Sequence, residues 1–580
     1  MHVARIVTRY RTKDGQQREY VSHLLRRSVR EGRRVRHEEL ANLSALPPEA
    51  IEAVRAVLAG ATLVAAGDRF EILRSLPHGN VAAVVAAARG LGFPDLLGPA
   101  GPQRDLAFAL VVSRIVRPAS KLATHRWWAD TTLAVDLGVA AASRDEVYAA
   151  LDWLLSRQDA VETELAGRYL SAAANPSRLA LFDLSSSWVT GSCCPLAGYG
   201  YSRDGHRGDP QIEYGLLAAP GGRPVAVKVF AGNTADPTAF IDIVDRIRGT
   251  FRLERLVMVG DRGMITSARI DALRGQPGMG WITALRAPAI AALAEPGGPL
   301  QPWLFDEVNL AEITHPDYPG ERLIACRNPV LAAERAGKRA ALLAATEAGL
   351  AKVAAQVAAG RLRKAGPVGV RAGKVVGKHK MEKHFTLTIA DGQLDYTRDQ
   401  AAIDTEAALD GIYIIRTSEP ADTLDTTAVV TSYKDLATIE RDFWSMKTID
   451  LDIRPIRHYT EDRVRAHVLL CMLAEHVLWE LRRAWAPLTY TDQDPPPRAD
   501  PVAPARRSSH AAAKAASHTN PTDQQPLYTL RGLLDHLATL TRNTIRLTGS
   551  PHTFDQLTLP TPTQQRAFQL LNTTIPLHLQ

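Results

Sequence analysis

Between residues 178 and 286, short apolar runs that each stop at Gly, Pro or Asp leave the chain few ways to fold. "RLALFDLSS" (178–186), "EYGLLAAPGGRPVAVKVFAG" (213–232), "RLVMVGD" (255–261) and "GWITALR" (280–286) have the length and residue types of β-strands. The second is long enough for two strands and turns back at Pro220 to Gly222. "DPTAFIDIVDRIRGTF" and "TSARIDALRG", which separate the later runs, space their apolar residues as helices do. Three strands in succession, followed by alternating helix and strand, predict a mixed α/β sheet rather than a purely doubly wound one.

At 580 residues the chain exceeds one ordinary core, and two to four domains are expected. Residues 1–95 read as a basic N-terminal region, a β-turn piece followed by short helices such as "PPEAIEAVRAVLAG". Residues 96–177 show helical spacing throughout. The sheet begins in 178–286, and the pattern then breaks over 287–405, where an Ala-rich charged helix and a basic Gly-containing run look like an insertion. "GIYIIRTS" resumes a strand, so 406–485 reads as the second part of the sheet domain. Residues 486–526 are polar and Pro-rich and are expected to be a disordered linker, followed by a small helical tail over 527–580.

The longest apolar runs, "LAFALVVSRIV" and "AHVLLCMLAEHVLW", fall short of the roughly 18 to 20 residues of a membrane helix, and the N-terminus lacks the features of a secretory signal. A cytosolic protein with no membrane partner is expected. Cys193, Cys194, Cys326 and Cys471 include no CxxC, which suggests reduced structural thiols. Charge is more informative. Residues 1–37 hold eleven Lys or Arg against Asp14, Glu19 and Glu31, and 361–383 hold eight against Glu382. Two basic blocks in a nearly neutral remainder point to a polyanion such as nucleic acid, or else to solvated basic faces.

Asp183 ends the apolar ascent of "LALFD" and Asp261 ends "LVMVGD", each at the C-terminal edge of an expected strand, where open α/β sheets gather ligands. Either one alone also serves as a turn former or helix cap. In "YKDLATIERDFWSMKT", Tyr433, Glu440 and Lys447 follow one another at seven-residue intervals. Seven residues of α-helix fall about 20° short of two turns, so the three share one face, whether as an amphipathic helix or as part of a site. Three carboxylates from two strands and a helix suit Mg²⁺, a hard cation that prefers oxygen and shares its coordination with phosphate.

On these residues the chain resembles the DDE transposases of insertion sequences, in the IS4-type group whose signature is Tyr, two residues, Arg, three residues, Glu, six residues, Lys. Its Arg position holds Leu436, as is common in the long-chain, IS1634-like subgroup. "LFDLSSSW", "GYGYSRDGHRGDPQIEYGL", "GNTADPTAF", "VGDRGM", "DGIYIIRT" and "RPIRHYTEDRVRAHVLLCMLA" match in order across about 178–475.

The resemblance implies an RNase H-like mixed-sheet catalytic domain with an insertion, flanked by helical N-terminal and C-terminal regions. It implies Asp183, Asp261 and Glu440 as catalytic metal ligands for two Mg²⁺ ions, with Mn²⁺ as a substitute. It implies Tyr433 and Lys447 as DNA-phosphate contacts, with Arg262 and Arg441 as further candidates and Lys434 as another stand-in for the missing Arg. The partners implied are transposon terminal inverted repeats and target DNA, bound by a homodimer at a bacterial nucleoid. The competing readings are a non-catalytic DNA-binding relative and an RNase H-like nuclease without strand transfer. Trp303 is read as a core residue rather than a base-stacking ring, and His458 as a helix cap in preference to a group that orients a phosphate.

Overall fold

The computed structural model describes residues 1–11, 16–31, 34–61, 70–206, 208–234, 236–493, 495–496, 500–547 and 551–579. It divides into two compact units, Met1–Ser75 with Arg542–Leu557, and Leu76–Thr541 with Thr558–Gln580.

The first unit is mostly β-structure. His2–Arg11, Gln17–Glu31 and Arg34–Asn42 form an antiparallel meander, followed by a helix at Pro48–Leu58. A second sheet pairs Phe70–Pro77 with a hairpin of Thr541–Leu547 and Thr553–Leu557. That hairpin replaces part of the expected helical C-terminal tail. The alternation of "TRNTIRL" is easily lost between flanking helices. Across the meander Arg9, Arg26 and Arg27 pair with Glu19, Glu39 and Glu38, so acidic neighbours offset part of this basic block.

The second unit is organised by an eight-stranded sheet. In chain order its strands are β1 (Leu179–Trp188), β2 (Gln211–Ala219), β3 (Arg223–Ala231), β4 (Leu256–Val259), β5 (Met279–Ala284), β6 (Leu310–Ile313), β7 (Arg322–Arg327) and β8 (Ile412–Thr417). Across the sheet they run β3-β2-β1-β4-β5-β8-β7-β6. β1 is antiparallel to β2 and parallel to β4, and β4 is parallel to β5. This is the RNase H-like arrangement, three antiparallel strands followed by two parallel ones, extended at the β5 edge. Burial of β1, β2 and β4 on both faces explains why they read as continuous apolar runs. The β2–β3 turn falls at the expected place, with Gly221 and Gly222 at φ +80° and +83°, values a hairpin turn requires and side chains resist.

β6 and β7 lie inside the expected insertion yet join the sheet. Glu321 secures this edge: its carboxylate, beside β7, takes two bonds of 2.5 Å from Arg416 of β8 and one of 2.5 Å from Arg274. The remainder of the insertion builds its own small core from Leu343, Leu350, Val353, Val368 and Phe385. Its helix Pro329–Ala358 is long and apolar enough over one stretch to pass as a membrane span, but it packs on the helix Ala365–His379 and the strand Gln393–Arg398.

The expected linker is folded over its described residues. Ser509–Ser517 is a helix, Val502 and Lys514 are buried, and the Lys514 ammonium donates to the carbonyls of Ala486, Thr489 and Thr491. Composition undervalued a segment whose few apolar groups fill gaps in a neighbouring surface.

The helix Glu461–Ala484 packs against β3 and buries His467 and His476. His476 donates through Nδ1 to the Pro224 carbonyl at 2.6 Å, and burial pushes its pKa down to about 4. Burial and the neighbouring Lys121 and Arg114 push His467 well below the ordinary value. In the unfolded chain both rings titrate near 6.5, so their neutral packing is fully favourable above that pH and is lost as pH falls toward the folded values. The thermal midpoint should therefore decline between about pH 6.5 and 4, with a shallower slope in His476→Gln; an equal slope in both proteins would reject the assignment.

Candidate active site

Asp183 lies within β1, and Asp261 lies two residues past the end of β4. The parallel register pairs Leu181 with Val259, and continuing it by two residues sets the two aspartates side by side where the β1–β4 pairing stops; Asp183 is not at the strand end expected, because β1 continues to Trp188 against β2. Local bonds aim each carboxylate. The Leu184 amide donates to Asp183 Oδ1 at 2.8 Å, and the Gly263 and Met264 amides donate to Asp261 Oδ1 at 2.9 and 2.7 Å. Asp261 thus acts as a turn former, with Oδ1 taken up by these two amides.

Glu440 comes from the helix Leu436–Trp444, which packs on β1. The single straight helix expected through Tyr433, Glu440 and Lys447 is instead three segments. Tyr433 sits in the last turn of Thr426–Lys434, Glu440 in the middle of Leu436–Trp444, and Lys447 in a π-helical turn, Ser445–Ile449. A π turn holds more residues than an α turn and rotates Lys447 off the shared face. A buried network holds that turn: Ser445 donates to Glu475 at 2.6 Å, and Arg482 bonds Glu475 and Asp450 at 2.5 and 2.8 Å.

Asp183, Asp261 and Glu440 share one electrostatic field. Burial pushes the Asp183 carboxyl up to about 7, and Asp261 and Glu440 push the same way while Arg203 opposes them. Burial raises the Tyr433 phenol to about 12; Asp261, Glu440 and Asp183 add to this, and Arg262 counters it. The phenol is therefore a proton donor at any working pH. Among the described residues no three or more His, Cys, Asp or Glu side chains form a ready-made metal cage. The donor chemistry nevertheless fits a hard divalent cation: all three groups are carboxylates, and each aspartate has one oxygen outside the bonds described above.

The expected cations meet different fates. Arg262 and Arg441 are exposed, next in the chain to Asp261 and Glu440, whereas Lys447 is buried and bonded to Asp204 Oδ1 at 2.6 Å. Arg454 shares that oxygen at 2.8 Å. Lys434 donates to the carbonyls of Pro501, Val502 and Ala503, tying the supposed linker to the glutamate segment. Leu436 packs against the core. His458 caps no helix; its ring packs against those of Tyr148 and His467. Trp303 is 66% exposed, not a core residue.

Arg203, Asp204 and Arg454 were not singled out from the sequence. The signal available was the unexplained charge in "YSRDGHRGD" and "RPIRH". Asp442, two residues after Glu440, faces the opposite way, fully buried, with neither carboxyl oxygen bonded among the described residues.

Residues 214–474 match the family model described as a transposase DDE domain, and residues 5–67 match the N-terminal domain of the IS1634 family transposases. The chain matches no curated protein. Among solved structures it is similar to the piggyBac transposase synaptic complex with hairpin DNA, determined by cryo-EM, at 8% identity and a TM-score of 0.34. That alignment covers 79% of this chain and 76% of the other.

Proposed function

Because the chain belongs to the DDE transposases and carries the N-terminal domain of the IS1634 family, we propose that Asp183, Asp261 and Glu440 hold the divalent metal on which its DNA chemistry depends. It is a DNA transposase, a polynucleotidyl transferase. The observation supporting these three residues is the convergence of the middle of β1, the end of β4 and one helix on a single field of negative charge.

The reaction has two displacements at phosphorus. Water attacks the phosphodiester at each transposon end, and the 3′-oxygen leaves as a hydroxyl. That hydroxyl then attacks a target phosphodiester, joining the transposon strand and displacing the target 3′-oxygen. Two Mg²⁺ ions, with Mn²⁺ as a substitute, would activate the attacking oxygen and stabilise the leaving one. The chain supplies the rest. Tyr433, protonated, donates to a phosphate oxygen, and Arg262 and Arg441 offer exposed positive charge beside the carboxylates. Lys447 reaches phosphate only by leaving Asp204, where Arg454 remains as counter-charge. The basic first unit binds the terminal inverted repeats, and a homodimer at the nucleoid brings two ends together.

The test uses a supercoiled plasmid carrying the element ends, incubated with purified protein in Mg²⁺ or in EDTA. Cut and joined products in Mg²⁺ and none in EDTA are expected. Cutting that persists in EDTA rejects the metal assignment. Cut ends that are never joined identify a nuclease without strand transfer, and an inert protein in both Mg²⁺ and Mn²⁺ identifies a DNA-binding relative.

A further inference from the structure

Beyond the carboxylates, the second unit holds a cavity of about 190 Å³ whose charge is almost all of one sign. Its lining includes Arg114, Lys121, Arg454, Arg457, His458 and His467, against the single acid Asp452. Lys121 is 3% exposed, and Arg114 and His467 are each 5% exposed. Among the described residues none of these three has a carboxylate partner. Arg114 donates to the carbonyls of Leu451 and Ala119 at 3.2 and 2.8 Å. The Lys121 ammonium makes one hydrogen bond, to His467 Nδ1 at 2.9 Å. His467 donates from Nε2 to the Ile453 carbonyl at 3.1 Å, which fixes its tautomer and leaves Nδ1 to accept. The neutral ring therefore aims the Lys121 amine into the cavity, where burial and then Arg114 hold its pKa well below the ordinary lysine value, so that an anion entering the cavity restores its charge.

An uncompensated buried cation costs several kcal/mol unless an anion joins it. The cavity has room for a phosphate group. Its loop is also well placed. Ile456 exchanges backbone hydrogen bonds with Trp188 and Thr190 at 3.0 and 2.8 Å, so the loop hangs on the end of the strand that carries Asp183. Arg454 meets Lys447 at Asp204, linking the loop to the glutamate segment.

We propose that this cavity binds one backbone phosphate of the DNA, with Lys121 as its buried cation and Arg457 at its exposed rim. The proposal rests on the transposase reading for the identity of the anion but not for its existence. The same positive field explains why the His458 ring, in the cavity wall, is pushed down to about 3 by burial and then by Lys121, Arg114 and Arg463.

Lys121→Met, which keeps length and removes charge, is the test, read without any cleavage assay. In phosphate-free buffer its thermal midpoint should equal or exceed the parent's, because it removes a buried amine whose charged form burial and Arg114 disfavour. Inorganic phosphate should raise the parent's midpoint saturably and the variant's not at all. Binding to a 40-base-pair duplex, followed against salt, should lose about 0.9 from the slope of log affinity on log salt concentration in the variant, the share of one phosphate contact. Loss of the phosphate response with an unchanged DNA slope would assign the cavity to a free anion and overturn the backbone assignment, as would absence of DNA binding by both proteins. An identical phosphate response in the two proteins, or none in the parent, would overturn the site itself. Should Lys121→Met fail to fold, Arg457→Gln at the exposed rim takes its place in the same comparison.

Discussion

Asp183→Asn will leave a folded protein that neither cuts nor joins DNA, with activity down by on the order of 10³-fold or more. The amide keeps the shape of the side chain and can still accept the Leu184 amide hydrogen, so β1 keeps its local geometry. What it removes is an anionic oxygen from the place where β1, the end of β4 and a helix bring carboxylates together. A site that works by holding metal and charged phosphate loses most of its power with one such ligand. Asp261→Asn and Glu440→Gln should fall by comparable factors, and the double variants should fall little further, because the three act as one unit. The same change relieves repulsion in metal-free buffer, so the thermal midpoint at pH 8 should be no lower than the parent's. Unfolding of the variant would make its inactivity uninformative; full activity in a folded variant would sink the assignment.

What the sequence disclosed and what it hid divide along a physical line. β1, β2 and β4 were legible because burial on both faces writes itself as apolar runs, and the aspartates because each breaks off such a run, Asp183 in mid-strand and Asp261 just past β4. Glu440 needed the family signature, since an exposed glutamate on an amphipathic helix carries no mark of its own. Lys447 shows the limit of that signature. Its spacing is correct, but its partner Asp204 is 243 residues distant, and a π turn that no periodicity announces sends it inward. β6 and β7 were missed for a related reason. Short edge strands take their identity from the strand beside them, and Arg416 with Glu321 binds that edge across 95 residues. Lys121 and His467 are farther apart still, at 346 residues, so no local pattern could reveal the cavity they share.

Gly232→Ala should be the most damaging single-methyl change at this end of the sheet, costing about 3 kcal/mol and detaching the loop that carries Arg203 and Asp204. A Cβ there would lie 1.8 Å from the Gln211 carbonyl oxygen and 2.7 Å from that of Gly198, so backbone rather than a flexible side chain would have to move. The contact is a junction. Gly198 and Gln211 exchange backbone hydrogen bonds at 3.0 and 2.9 Å, and the Gln211 side-chain amide donates to the carbonyls of Tyr201 and Gly232, both at 3.1 Å. Forcing position 232 outward breaks this lock. Asp204 would then lose its hold on Lys447 and Arg454, leaving buried cations without their counter-charge. Gly167→Ala is the control: it sits in the last turn of the helix Gln158–Tyr169 with nothing within 4 Å of the added carbon, and should stabilise by up to about 0.5–1 kcal/mol. Urea unfolding of both variants measures the difference. At a temperature where Gly232→Ala remains folded, DNA cleavage should still fall, because the loop beside Asp183 is displaced. A Gly232→Ala protein as stable and active as its parent would show that the loop is positioned by something other than this close approach.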